Sequence, residues 1–283
     1  MCLAAAAPAG CGATPDHGLQ VVASTNVYGD IARQIGGADA HVTSILSDPN
    51  ADPHLFEAGT SNGLAVARAK VVIANGLGYD AFIEKLEEAT STSGREQLSV
   101  ADALGVRGAA ANPHLWYDVP ALGRISAAIA GALAHADARH AAAYTRRRAR
   151  FDASLRPLRR AVAAIRAAHR GEEVASTESV PDYLVAAAGL REAAPPSFTR
   201  AIENGSEPTP AALAAMLALV REGRVRALLY NTQAVSPITA RVRAAARAAH
   251  VPVVGVTETL PPGQTYQSWQ LRQVRALAAA LAR

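Results

Sequence analysis

The sequence predicts an α/β protein of two lobes, each a mainly parallel sheet flanked by helices, the two bridged by one long helix. Three observations carry this. Short apolar strands alternate with helical patterns from Leu19 to about Pro120. The segment from there to His169 is almost wholly helix-forming, and alternation resumes at Glu173 and continues to the end. At 283 residues the chain exceeds the size at which a single core usually keeps growing.

The elements follow in order. LQVVAS (19–24) reads as a buried strand. Ile31–Gly36 lies in a short helix stopped by the Gly36-Gly37 pair. HVTSIL (41–46) alternates as a second strand. Ser61–Ala69 has a helical pattern, KVVIAN (70–75) is a buried strand ended by Gly76, and Tyr79–Ala89 is helical again. The helix-rich middle contains Pro157, which implies a kink or break. Its later part reads as one long helix, about 45 Å if it spans roughly 30 residues. Beyond it, Glu173–Thr177 is a strand and Val180–Ala188 and Pro210–Glu222 are helices. VRALLYN (225–231) and VPVVGVT (251–257) are strands around a helix over Pro237–His250, and Gln270–Ala282 is a final helix. The expected organisation is a terminus and linker over 1–18, a first lobe over 19–120, a helical segment with the bridging helix over 121–170, and a second lobe over 171–283.

Half the residues are hydrophobic, 18% are charged and 5% are aromatic, a globular composition with a core of Ala, Val and Leu. The net charge of +4 is unevenly spread: nine arginines fall between Arg146 and Arg170, with Asp152 the only acid among them. Such a run fits a nucleic-acid surface or a solvated helix face. The second is favoured, because only Tyr144 and Phe151 offer aromatic surface nearby. Both cysteines, Cys2 and Cys11, precede the first strand, which leaves no disulfide or thiolate metal site in the body. The opening MCLAAAAPAGCGATPDHG resembles the end of a bacterial lipoprotein signal with Cys11 as the acylated residue. It lacks a basic leader and has Pro8 where leucine is usual, and an Ala-rich terminus fits it equally. No uninterrupted apolar stretch reaches spanning length after Cys11.

Two strings repeat one arrangement: ADPHLFE (51–57) and NPHLWYD (112–118). Asp52 and Asn112 are N-cap residue types, and Pro53 and Pro113 suit a first helical position. His54 and His114 would then sit in a first turn, where the helix dipole disfavours imidazolium and leaves the metal-binding neutral form. Both also suit ordinary capped turns. Two imidazoles do not complete a divalent-cation site. Carboxylates at strand ends facing a cleft would supply further donors and neutralise the charge. Glu178, after EEVAST, and Glu258, after VPVVGVT, occupy such ends. Either is also an ordinary strand-end acid.

The ordered series TNVYGDIARQIGG, DPNADPHLFE, ANGLGYD, NPHLWYD, STESVPDYLVAAAGL, EPTPAALAAM, VTETL and TYQSW resembles the metal-binding lipoproteins of ABC importers for zinc and manganese, over nearly the whole chain from Val21 to Ala282. The resemblance implies metal ligation by His54 in D-P-H, by His114 in N-P-H-x-W, and by Glu178 ahead of Tyr183. The fourth ligand of that family is usually an aspartate, and Glu258 in TETL stands there instead, so its mode of ligation is open. The His-rich loop of many zinc-specific relatives is missing, and His135, His140, His169 and His250 read as structural. A stiff hinge with small lobe movements is implied as well.

The function expected is therefore capture of a divalent transition metal outside the inner membrane, Zn²⁺ first and Mn²⁺ next, and delivery to the membrane permease of an ABC importer. The expected protein is a monomer, not an enzyme, with no nucleic-acid partner, and it touches the membrane only through an acylated Cys11. No G-x-x-x-x-G-K-[ST] loop occurs. The enzyme alternative is a zinc hydrolase with three ligands and Glu258 as general base, although no H-E-x-x-H string is present. A binder of an organic solute would want converging aromatics and arginines that the sequence does not display.

Overall fold

The structure, a computed structural model, describes residues 18–48, 56–90, 92–108 and 110–283. The first sheet is built from β1 (Leu19–Thr25), β2 (Ala40–Leu46), β3 (Val71–Ala74) and β4 (Glu96–Ser99). Between and after them lie α1 (Asn26–Gly36), α2 (Thr60–Arg68), α3 (Ala81–Ala89) and α4 (Val100–Leu104). All strands are parallel, in the order β2-β1-β3-β4. A helical stretch follows, with α5 (Leu122–Ala136), α6 (Ala141–Ser154) and α7 (Arg156–His169). The second sheet contains β5 (Glu173–Ser176), β6 (Arg191–Glu192), β7 (Leu228–Asn231) and β8 (Val253–Val256). Its helices are α8 (Asp182–Ala187), α9 (Pro196–Glu203), α10 (Pro210–Arg221), α11 (Pro237–Ala248) and α12 (Tyr266–Leu281). Its order, β6-β5-β7-β8, repeats that of the first sheet, again all parallel. In each sheet the strand order reverses after the first strand, which creates a crevice at the carboxyl ends where α/β sheets bind ligands.

Strand alternation distributes the core. Val21, Ala23, Val71 and Ile73 of the first sheet and Val174, Leu229, Val254 and Val256 of the second point into one cluster that runs through the molecule. Val22 and Val72 point the other way, into a small cluster against α2 and α3. Ala175 and Leu228 do the same toward α9, α10 and α11. Both faces of each sheet are covered, as parallel sheets require. The lobes thus share their largest core.

The bridging helix is bent rather than straight. Leu155, with φ −77° and ψ −8°, separates α6 from α7. Pro157 has no N–H to offer the carbonyl of Ala153, and the Arg156 side chain donates to that oxygen instead, from Nε at 3.1 Å. Phe151, Leu155 and Leu158 remain buried on either side of the bend. The stretch Val119–Ala136 is long and apolar enough to cross a bilayer, but half of it is buried. α5 packs Leu122, Ile125, Ile129 and Leu133 into the shared core.

Several elements were hidden from sequence patterns. β4 reads EQLS, a polar edge with no apolar run, and β6 is two residues long. α9 begins at Pro196 behind a second proline, which masks its helical period.

Candidate metal centre

The carboxyl ends of β5, β7 and β8 bring three side chains together. Glu178 follows β5, Asn231 ends β7 and Glu258 follows β8. All three are buried, at 1% exposure each, and so is His114, at 0%. Burial of two carboxylates side by side demands a positive partner or donors. Asn231 supplies donors: its Nδ2 donates to Glu178 Oε2 at 2.5 Å and to Glu258 Oε1 at 2.8 Å. The amide is held in that orientation because its Oδ1 accepts from the Gln233 backbone N–H at 3.0 Å. Gln233 in turn accepts from the backbone N–H groups of Glu258 and Thr259, at 2.6 and 3.1 Å, and fastens the TETL turn to the end of β7.

His114 reaches the site from the other lobe. It does not sit in the first turn of an α-helix capped by Asn112, as the sequence suggested. It stands at the N-cap of a short 3-10 turn, Leu115–Tyr117, with no side-chain cap bond. A Pro-aromatic string of this length closes a turn before a regular helix can nucleate. Asn112 orients the histidine instead. Its Oδ1 accepts from the His114 backbone N–H at 2.9 Å and lies 2.8 Å from ring Nδ1, while its Nδ2 donates to Ser179 O at 2.7 Å. That network assigns the Nδ1 proton to the Asn112 bond and leaves Nε2 facing the carboxylates.

His114 Nε2 lies 3.3 Å from Glu258 Oε2. Two donors bound about 2.0–2.1 Å from a tetrahedral cation stand roughly 3.3–3.4 Å apart, so the pair has the spacing of one edge of a coordination shell. Tyr79 contributes a further contact from the first lobe: its hydroxyl donates to Glu258 Oε2 at 3.0 Å. Burial, then the Glu258 charge, pushes the Tyr79 phenol well above its usual range, so it stays a donor. Tyr79, His114 and Trp116 pack edge to face around this point.

Of the four residues singled out in the sequence, the structure brings His114, Glu178 and Glu258 to one buried locus. His54 lies outside the described residues, as do Cys2 and Cys11. Among the described residues no three His, Cys, Asp or Glu side chains form a complete cation site by themselves. Glu178 reaches the His114–Glu258 pair through Asn231. Glu258, the position that departs from the aspartate of the resembled family, comes within 3.3 Å of His114 Nε2. Three of the other described histidines pair with acids elsewhere: His135 is 2.6 Å from Glu96, His140 is 2.6 Å from Asp137 and His169 is 3.1 Å from Glu172. Asn231 and Tyr79 were missed as site residues. Their strings, NTQAVSP and ANGLGYD, place an amide at a strand end and a tyrosine after two glycines, a pattern that marks a turn but not its target.

Behind the site lie more acids. Ser176 donates through Oγ and N to Glu192, at 2.6 and 3.1 Å, and Ser179 Oγ donates to Glu203 at 2.6 Å. Asp182 is pushed up to about 7, first by burial and then by Glu192, with His114 opposing and Glu203 adding.

A sequence model of the family described as zinc-uptake complex component A, periplasmic, matches residues 21–280. The chain is 32% identical over 141 residues to the manganese-binding lipoprotein MntA of Bacillus subtilis (strain 168), a match covering 45% of each. It is 34% identical over 119 residues to the protein of the same name from Halalkalibacterium halodurans, covering 39% of each. In these alignments the chain spans less than half the length of the curated relatives it matches. Among solved structures, the periplasmic zinc binding protein TroA from Treponema pallidum superposes with a TM-score of 0.78 at 19% identity, covering 94% of this chain and 100% of that one. The SBP FpvC from Pseudomonas aeruginosa, in complex with Mn²⁺, gives 0.76 at 21% identity, covering 94% and 98%. These likenesses show a shared fold.

Proposed function

The chain belongs to the periplasmic zinc-uptake complex component A family, and from that membership we propose that it captures a divalent transition metal between its lobes and delivers it to the permease of an ABC importer. The observation that carries this reading is the buried meeting of His114 from one lobe with Glu258 and Glu178 from the other. His54 completes the proposed set of four. Two neutral imidazoles and two carboxylates give a dication a net charge near zero, and they suit Zn²⁺ and Mn²⁺. Zn²⁺ is favoured by the Irving–Williams order, and relatives named for either ion support both. The metal is cargo, bound without turnover, in a protein that works outside the inner membrane as a monomer. An acylated Cys11 would tether it there.

Competition titration of the full chain with Zn²⁺ and Mn²⁺ tests the proposal. His54→Ala and His114→Ala are each expected to weaken binding by orders of magnitude while the fold persists by circular dichroism. Wild-type affinity in either variant contradicts the ligand assignment. Affinity should fall toward acid pH, because every donor must be deprotonated to bind. Hydrolysis of simple esters or amides by the metal-loaded protein would instead favour the three-ligand enzyme with Glu258 as base.

A further inference from the structure

We propose that the joined outer faces of α7 and α12 form a docking surface for an anionic phospholipid bilayer. This surface is independent of the metal site and gives a role to the arginine run that metal binding leaves unexplained.

The two helices pack side by side. On α7 and its C-cap, Arg156, Arg159, Arg160, Arg166 and Arg170 are all exposed. At about 100° per residue they fall within an arc of roughly 120°, while Leu158, Val162 and Ile165 face the core. On α12 and just beyond it, Arg272, Arg275 and Arg283 are exposed within roughly 80°, opposite the buried Val274, Leu277 and Leu281. Neither helix contains an acid. Among the described residues none of these eight arginines enters an ion pair. The partnered arginines of the run lie on α6, where Arg147 meets Asp39 and Arg148 meets Asp152. Taking those eight charges from the net +4 leaves the rest of the chain at −4. The molecule is therefore polarised, with one helix pair strongly basic and the remainder acidic, an arrangement that orients a protein at a negatively charged surface.

The chemistry of the face selects phosphate without bases. Residues between the arginines are alanines, such as Ala163, Ala167, Ala276 and Ala279, and the aromatics of α12, Tyr266 and Trp269, are buried. Stacking platforms for single-stranded nucleic acid are thus lacking. Two helices with axes 8–10 Å apart make a face roughly 20 Å wide, too broad to enter a major groove of about 12 Å. Guanidinium groups pair readily with phosphate oxygens at a planar surface. The exposed large apolar side chains among the described residues, Leu64 and Val235, lie on neither helix. Contact is therefore electrostatic, without insertion, and salt-sensitive.

The test is co-sedimentation of the full, unacylated chain with vesicles of phosphatidylcholine alone, or with about one lipid in four replaced by phosphatidylglycerol. The expected result is binding to the anionic vesicles only, abolished between ~20 and ~300 mM salt. Each arginine near the surface is worth about fivefold in partition. R160Q/R166Q/R272Q/R275Q together should therefore lower binding by roughly two to three orders of magnitude. R200Q/R221Q/R241Q/R247Q, with the same loss of net charge from exposed positions elsewhere, should stay within about twofold of wild type. Absence of wild-type binding to anionic vesicles at low salt overturns the proposal, and that comparison needs no variant. Equal losses in the two variants, or tighter binding to duplex DNA at matched phosphate, overturn it as well.

Discussion

Asn231 holds two buried carboxylates that would otherwise repel, and under the proposed ligand assignment its amide stands in part for the charge that a dication would supply. Asn231→Ala removes both donors, so the metal-free protein should lose about 1–3 kcal/mol. Saturating Zn²⁺ should restore most of that loss, because the ion neutralises the same oxygens. Thermal melts with and without metal check this, and an unrestored variant would detach Asn231 from the site. Asp182 presents a different case. Its Oδ1 is buried with no hydrogen-bond partner among the described residues, and its carboxyl titrates near 7 rather than at 3.8. The folded value lies above the unfolded one, so the unfolded chain gives up the proton first. The penalty is absent below the unfolded value, grows as pH rises and is complete above about 7. Asp182→Asn should accordingly be more stable than wild type at pH ~8, by on the order of 2–4 kcal/mol, and indistinguishable from it at pH ~3.5. Equal denaturation midpoints at both pH values would contradict the assignment. His114 and Glu258 were legible as residue types behind Pro and at a strand end. Asn231, Tyr79 and Asp182 were not, because nothing in NTQ, LGYD or PDY states which lobe the side chain will meet.

At the scale of elements, the turn after β3 aims Tyr79 at Glu258. Gly76 adopts φ +83°, and a Cβ there would stand 2.7 Å from Ser99 Oγ and 3.1 Å from Ala101 Cβ. Asp80 clamps the same turn by accepting from the Gly76 backbone N–H at 3.0 Å and from that of Asn75. Gly76→Ala should cost about 1–3 kcal/mol and weaken metal binding through misplacement of Tyr79, measurable by denaturant melts and the same competition titration. Unchanged stability would show that the turn relaxes freely. The inner strands were readable because both faces are buried and their runs are mostly apolar, as in VVIA and LLYN. The edge strands β4 and β6 escaped because an edge needs no apolar run. The helix bend was legible at Pro157, although the break itself falls at Leu155, where the chain keeps a helical backbone while the hydrogen-bond ladder is interrupted.

Across the whole molecule, the lobes are joined by more than the bent helix. Asn26 exchanges two hydrogen bonds of 2.8 Å with the Leu260 backbone, Tyr117 donates to Thr257 O at 2.7 Å, and Tyr266 donates to Trp116 O at 2.5 Å. These bonds and the shared core predict one cooperative unfolding transition, by calorimetry and tryptophan fluorescence alike, rather than one per lobe. They also favour small movements of the lobes over wide opening. Under the proposed function one dication is held where the lobes face each other. The most direct test of this is a crystal structure of the Zn²⁺-loaded protein with diffraction recorded across the zinc edge. The account predicts a single anomalous peak about 2.0–2.2 Å from His114 Nε2 and from oxygens of Glu258 and Glu178, with His54 as the fourth donor. A peak remote from His114, or a loaded crystal with no ordered ion between the lobes, would contradict it.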